Sequence, residues 1–205
     1  MKYGSSLPTG RAHLAALTKA LASLENEMDR VDTWGRHLAG VLMGGGRLLA
    51  VGNGGSAALA QHLTSELVGR YRDDRPAFSA LALCADGSNL TCITNDYGAE
   101  EVFARQVRAH GRPGDVLFAL STSGRSPNVL AAVEAAQECT LTTWALSGRR
   151  PNPLAEACDD AVCADAPATA TVQEIHQIAV HLLCAAFDCE VGASLALRSA
   201  GEITP

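Results

Sequence analysis

The stretch Phe118–Ala132, FALSTSGRSPNVLAA, runs an apolar strand into four hydroxyl residues, Ser121, Thr122, Ser123 and Ser126, and then into a helix opened by proline. Ser126 suits the N-cap of that helix, and Pro127 suits its first turn. Hydroxyls and free backbone N–H groups gathered at a helix N-terminus make a place for a phosphate. The chain carries a formal charge of −6, so no broad basic field would hold an anion here. It would be gripped locally, by neutral donors. An ordinary polar turn with a helix cap is the competing explanation for the same residues.

A second turn of the same kind lies upstream. In RLLAVGNGGSAALAQHL, Arg47–Leu63, a short apolar strand leads through Gly52, Asn53, Gly54, Gly55 and Ser56 into a helix. The segment lacks the GK[ST] ending that wraps nucleotide phosphates, and it fits GxGxxG poorly. Its glycines would still let backbone approach a ligand closely, with Asn53 and Ser56 offering side-chain hydrogen bonds. Two such loops at the C-terminal ends of strands are what a ligand crevice in an open parallel sheet requires. Together they point to a phosphorylated small molecule.

Outward from these loops, short apolar strands alternate with helical patterns. The strands are predicted at 47–51, 79–84, 115–120, 141–146 and 161–163. The helices between them are predicted at 56–68, 89–94 with 99–110, 127–138 and 153–158, and a long final helix covers 170 to about 189. Continuous apolar strands alternating with helices indicate an α/β fold with a parallel sheet covered on both faces. Before this core, residues 10–44 read as two helical segments meeting near Asp32, with Leu14, Leu17, Leu21 and Leu24 at helical spacing. These helices either cover one side of the sheet or pair with a second subunit. The chain therefore reads as one domain over 1–205, with an N-terminal helical segment at 1–46 and a βα core at 47–190. GEITP, 201–205, reads as a frayed tail.

Bulk composition narrows the class. At 205 residues the chain can bury one good core but not two large ones. No apolar run reaches the length of a membrane span, and the N-terminus lacks a secretory apolar region. The seven cysteines form no CxxC pair, which argues against a zinc knuckle or redox motif and suggests buried, reduced thiols in the cytoplasm. Acidity and scarce basic clusters argue against nucleic acid as a partner.

One further constellation suggests metal or acid–base chemistry. His62 and Glu66 stand four apart, on one face of the helix that leaves the glycine turn. Gln173, Gln177 and His181 repeat the same spacing in the final helix. Nitrogen and oxygen donors from two helices could hold a divalent ion. Plainer explanations exist for each. Glu66 precedes Arg70 by four, the favoured order for a surface ion pair, and His181 could be a hydrogen-bonded core residue. His176 could compete with His181, while His13, His37 and His110 read as structural or solvated.

Taken together, GNGGSAALAQHLTSELVGRY, ITNDYGAEEVFARQV, GRPGDVLFALSTSGRSPNVLAAVEAA and TVQEIHQIAVHLLC resemble the sugar isomerase (SIS) family, most closely its phosphoheptose isomerase branch. They occur in the family's order and cover most of the chain from Arg47 to Cys184. The resemblance implies a five-stranded parallel sheet and a homotetramer with active sites at subunit contacts. It implies conversion of sedoheptulose 7-phosphate to D-glycero-D-manno-heptose 7-phosphate.

Carried over by position, the resemblance makes Ser121, Thr122, Ser123 and Ser126 the phosphate-binding hydroxyls. Asn53, Gly54, Gly55, Ser56, Asn95, Asp96, Glu66 and Gln173 become substrate contacts. One zinc per subunit would fall on His62, Glu66, Gln173 and His181. Aldose–ketose isomerisation moves a proton between adjacent carbons through an enediol and needs a base for the carbon and an acid for the oxygens. By resemblance these are Glu66 and His181.

The chain departs from the family pattern at Leu59 and Arg125, where many relatives have aspartate and asparagine, and at Ala170, where some have aspartate. Two other readings share the motifs. One is a non-catalytic SIS regulator resembling the proteins that bind the replication initiator. The other is an isomerase or etherase for another sugar phosphate. In the regulators the Glu66 and His181 positions usually hold other residues, so both residues favour an enzyme.

Overall fold

In the computed structural model, which describes residues 10–201, five strands form one parallel sheet: β1 (Leu48–Gly52), β2 (Ala80–Ala82), β3 (Val116–Ser121), β4 (Thr142–Ser147) and β5 (Asp160–Cys163). Their spatial order is β2-β1-β3-β4-β5. Every residue of β1 and β3 is buried, as strands covered on both faces must be. Alternation along the strands divides the core in two. Leu48, Ala50, Val116, Phe118 and Leu120 face one apolar layer, while Leu49, Val51, Leu117 and Ala119 face the other.

The first layer is covered by α1 (Gly10–Glu25), α2 (Met28–Met43), α3 (Gly55–Val68) and α8 (Thr169–Gly201). The second is covered mainly by α5 (Glu101–His110), α6 (Pro127–Glu138) and α7 (Pro153–Ala157), with α4 (Gly87–Tyr97) leading into α5. Of the two roles open to the N-terminal helices, α2 takes the first and covers the sheet. Trp34 stacks on Trp144 of β4 with ring centroids 5.0 Å apart, and its indole N–H donates to Asp160 at 2.8 Å. The ring thus contributes apolar burial while its polar edge is satisfied. α1 is held more lightly, through α8, with Ala20 and Leu24 as its buried residues.

Several boundaries differ from those expected. The helical break lies at Asn26–Glu27 and not near Asp32, where two turn hydrogen bonds reach back to Ser23 and Leu24. β2 has three residues where six were expected. It is an edge strand whose pairing follows β1 only from Leu48 to Ala50 before the Ala85 N–H closes a turn onto Ala82. α8 runs past Cys189 to Gly201 because no proline or cap stops it. By length and composition α8 could cross a membrane, contrary to the expectation that no run would. Here, however, Val172, Ile175, Ala179, Val180, Leu183 and Phe187 of this helix pack into the first core layer. Residues 202–205 of the expected frayed tail lie outside the described residues.

Candidate active site at the strand ends

The strand order places the reversal of the sheet between β1 and β3, which is where an open α/β sheet leaves a crevice at its carboxyl edge. The loops that follow these two strands meet there. Asn53 and Asn128 join them through a reciprocal pair of amide hydrogen bonds, 2.8 and 2.9 Å. Gly54 and Gly55 are exposed beside them, and Ser56 is buried as α3 begins. Above the turn lies α8. A Cβ at Gly55 would press on the Gln173 amide, so glycine lets that amide lie close over the turn.

After β3 the hydroxyls gather into a small cup. Ser121 Oγ lies 3.1 Å from Ser126 Oγ and 3.5 Å from Ser123 Oγ, and the Arg125 N–H donates to Ser123 Oγ at 3.2 Å. Thr122 is half-buried between them. Ser126 does occupy the N-cap position of α6, but its hydroxyl makes no capping bond. It turns into the cup, so the expected cap is replaced by a contact with Ser121. The loop turns at Gly124, whose φ of +62° is one that side-chain-bearing residues rarely adopt. A side chain there would also collide with Asn152.

Across the crevice, α3 and α8 bring three expected residues together. His62 Nε2 is 2.9 Å from His181 Nε2 and 3.5 Å from Glu66 Oε1. Gln177 donates from its amide nitrogen to the same His181 atom at 2.9 Å. The Tyr71 ring lies against His181. Among the described residues Glu66 forms no ion pair with Arg70, so the surface-pair explanation fails. His176 does not compete with His181. It is 1% exposed and bonds through Nε2 to the Ser147 carbonyl at 3.0 Å. Burial pushes its pKa down to about 4, against a smaller upward effect of that hydrogen bond. Of the histidines read as structural, His13 pairs with Glu174 at 2.9 Å, His37 lies edge-on to Trp144, and His110 ends α5.

Among the described residues no group of three or more His, Cys, Asp or Glu side chains stands as a ready metal-binding cluster. The donors themselves fit a divalent ion. Two imidazole nitrogens and a carboxylate converge, and tetrahedral ligation at about 2.0–2.1 Å places nitrogens about 3.3 Å apart. The 2.9 Å separation of His62 and His181 would need to open by only about 0.4 Å. Gln173 is not in this cluster, because its amide lies at Gly55. It precedes His181 by eight residues, about 12 Å of helix rise. Asn95 and Asp96 also stand apart. They are exposed at the end of α4, and among the described residues their side-chain hydrogen bond is to each other, at 2.7 Å.

Comparison with known proteins places the chain in a family. Residues 12–148 match the SIS domain family. The chain belongs to the SIS family. Within it, this SIS protein is 62% identical over 176 residues to the phosphoheptose isomerase of Streptomyces coelicolor, covering 86% of this chain and 76% of the relative. The solved phosphoheptose isomerase of Neisseria gonorrhoeae superposes with a TM-score of 0.81 at 40% identity, covering 87% of this chain and 96% of that one. The corresponding enzyme of Francisella tularensis gives 0.82 at 32% identity, over 87% and 95%.

The three departures fall in different environments of this SIS domain. Leu59 is buried in the first core layer, Arg125 is exposed on the serine loop, and Ala170 lines a groove between α1 and α8. Residues that the sequence did not single out also shape the site. Asn152 accepts from the Ala155 N–H at 3.0 Å and donates to Ser147 Oγ and the Gly148 carbonyl, each at 3.1 Å. That makes it the floor under Gly124. Arg75, only 6% exposed in its side chain, pairs with Asp188 at 2.7 Å and donates to the Glu66 carbonyl at 2.7 Å. It ties the end of α3 to α8. An asparagine before a proline gives a local sign of a helix cap, but nothing near Arg75 in sequence marks its distant partner.

Proposed function

We propose that this SIS protein is a phosphoheptose isomerase interconverting sedoheptulose 7-phosphate and D-glycero-D-manno-heptose 7-phosphate. The observation that carries the reading is the convergence of His62 and Glu66, on the helix that leaves the glycine turn, with His181 of α8, in a chain that also forms a neutral hydroxyl cup at the end of β3. High identity to a relative named phosphoheptose isomerase supports it. The phosphate is assigned to Ser121, Thr122, Ser123 and Ser126, where hydroxyls and α6 N–H groups supply donors without a cationic side chain. Asn53, Gly54, Gly55 and Ser56 line the sugar from the β1 side.

The chemistry follows from the residue types. Glu66 takes the proton from the carbon next to the carbonyl, and the C–H electron pair moves into a C=C bond as the carbonyl oxygen takes up charge. His181 gives a proton to that oxygen, forming the enediol. Removal of the neighbouring hydroxyl proton and return of a proton by Glu66 to the adjacent carbon completes the exchange. One zinc ion per subunit would be held by His62, Glu66 and His181, supplying Lewis-acid polarisation of the carbonyl, while Gln173, whose amide lies at the glycine turn, would contact the sugar. The half-buried Glu66 has two carboxylate oxygens and His181 two ring nitrogens, so in each residue ligation and proton transfer can be divided between two atoms.

The reading includes a homotetramer with sites at subunit contacts, supported by the isolation of Asn95 and Asp96 within one chain. It includes a cytoplasmic setting, supported by seven free thiols, of which only Cys158 and Cys184 are buried as expected while Cys92 and Cys189 are exposed. The test is turnover of sedoheptulose 7-phosphate by zinc-loaded protein, beside a metal-stripped sample and Glu66→Gln. Turnover lost in both controls is expected. Substantial turnover by Glu66→Gln removes Glu66 as the base, and turnover that survives stripping removes the metal from the reaction. Sugar phosphate bound by every sample and turned over by none would favour a regulator or another substrate.

A further inference from the structure

Asn128 lies in the first turn of α6, outside the hydroxyl cup, and nothing above assigns it a role in the reaction. Its side chain is joined to Asn53 by two hydrogen bonds, Asn53 Nδ2 to Asn128 Oδ1 at 2.8 Å and Asn128 Nδ2 to Asn53 Oδ1 at 2.9 Å. The pair spans the crevice between the loops after β1 and β3, seventy-five residues apart in sequence. We infer that Asn128 is a positioning residue that orients the Asn53 carboxamide toward the hydroxyl groups of the sugar.

Asn53 is exposed, with Gly52 before it and Gly54 and Gly55 after it. An exposed carboxamide on such a turn has little to fix its rotation. The reciprocal pair fixes it. Each primary amide has two N–H donors and two acceptor lone pairs. The pair uses one of each, leaving one N–H and one lone pair on Asn53 for a ligand. Rotating one amide alone by half a turn sets nitrogen against nitrogen and oxygen against oxygen. Asn128 therefore holds the plane of the Asn53 carboxamide, since neither amide can turn alone without losing both bonds. A remaining donor and a remaining acceptor on one rigid group suit a hydroxyl that both gives and accepts a hydrogen bond. An open-chain polyol presents such hydroxyls on adjacent carbons.

The inference rests on the reading of Asn53 as a substrate contact, so the experiment separates the two. Turnover and calorimetric binding of sedoheptulose 7-phosphate are measured on wild type, Asn53→Ala, Asn128→Ala and the double variant. All four are checked by thermal melting, which an exposed pair should hardly move. Asn128→Ala is expected to lower kcat/KM about tenfold, chiefly through KM, as orientation by a pair of neutral hydrogen bonds is lost. In the Asn53→Ala background the same change should add less than about twofold, because a residue acting through Asn53 has nothing left to act on. Independent, multiplicative losses would overturn the positioning role while keeping Asn53 as a contact. A wild-type value for Asn128→Ala beside a damaged Asn53→Ala would do the same. An undamaged Asn53→Ala would overturn the site reading itself, and the inference with it.

Discussion

At the scale of single residues, His176 shows how α8 is seated on the end of β4. It is 1% exposed, its Nε2 lies 3.0 Å from the Ser147 carbonyl, and its Nδ1 has no partner among the described residues. Neutral histidine can donate from Nε2 to that carbonyl, whereas a proton on Nδ1 would be buried without an acceptor. Burial accordingly lowers its pKa from 6.5 to about 4. The unfolded chain then binds a proton between about pH 6.5 and 4 that the folded chain does not. Stability contributed by neutral His176 is therefore present above the unfolded value and lost as pH falls through this window. A shift of this size corresponds to roughly 3 kcal/mol. Urea melts at pH 7 and pH 4.5 should show wild type losing more stability than His176→Gln, which keeps an N–H donor but does not titrate. Equal losses in the two proteins would refute the account.

At the scale of elements, α7 is only five residues long, yet it shapes the serine loop. Its N-cap Asn152 is 2% exposed, bonds four ways to Ala155, Ser147, Gly148 and Arg149, and lies directly against Gly124. Asn152→Ala would remove a cap and leave buried carbonyls without donors, a loss of about 2–3 kcal/mol. The loop carrying Ser121, Ser123 and Ser126 would lose its floor. The expected kinetic result is a several-fold higher KM with kcat largely kept, checked by steady-state turnover beside a thermal melt. An unchanged KM in a protein with a lowered Tm would make Asn152 purely structural.

The same elements show what could be read from the chain. The apolar runs of β1, β3 and β4 and the proline-opened α6 were legible because period, length and turn residues are local. So was the pairing of His62 with Glu66, four residues apart on one helix face. The length of β2 was not legible, because it depends on where pairing with β1 stops. The partners of Asn128, Asn152 and Arg75 were not legible either, because each contact is made across the fold by a residue common in turns or on surfaces. Gln173 matched the expected helical stripe, yet the structure places its amide at the glycine turn and gives Gln177 the contact with His181.

At the scale of the whole molecule, one chain holds the parts of the site in separate places. The serine cup follows β3, the imidazole and carboxylate cluster lies between α3 and α8, and Asn95 and Asp96 stand exposed beyond both. If the last two contact substrate, a second copy of the chain is the economical way to bring them to it, since symmetric assembly sets one subunit's exposed residues against another's crevice. α1 is the element best suited to that contact. It buries only Ala20 and Leu24 within its own chain, leaves Leu14 62% exposed, and borders the groove on α8 that contains Gln173 and Gln177. A charge at Leu14 would forfeit apolar burial of about 1.5–3 kcal/mol wherever the contact is repeated, with little consequence for the isolated fold. Leu14→Asp should therefore shift the protein to smaller species in light scattering, and turnover should fall in proportion as assembly is lost. Raising the protein concentration should restore both together. A smaller species with full turnover would show that one chain completes its own site, and Asn95 and Asp96 would then have no part in it.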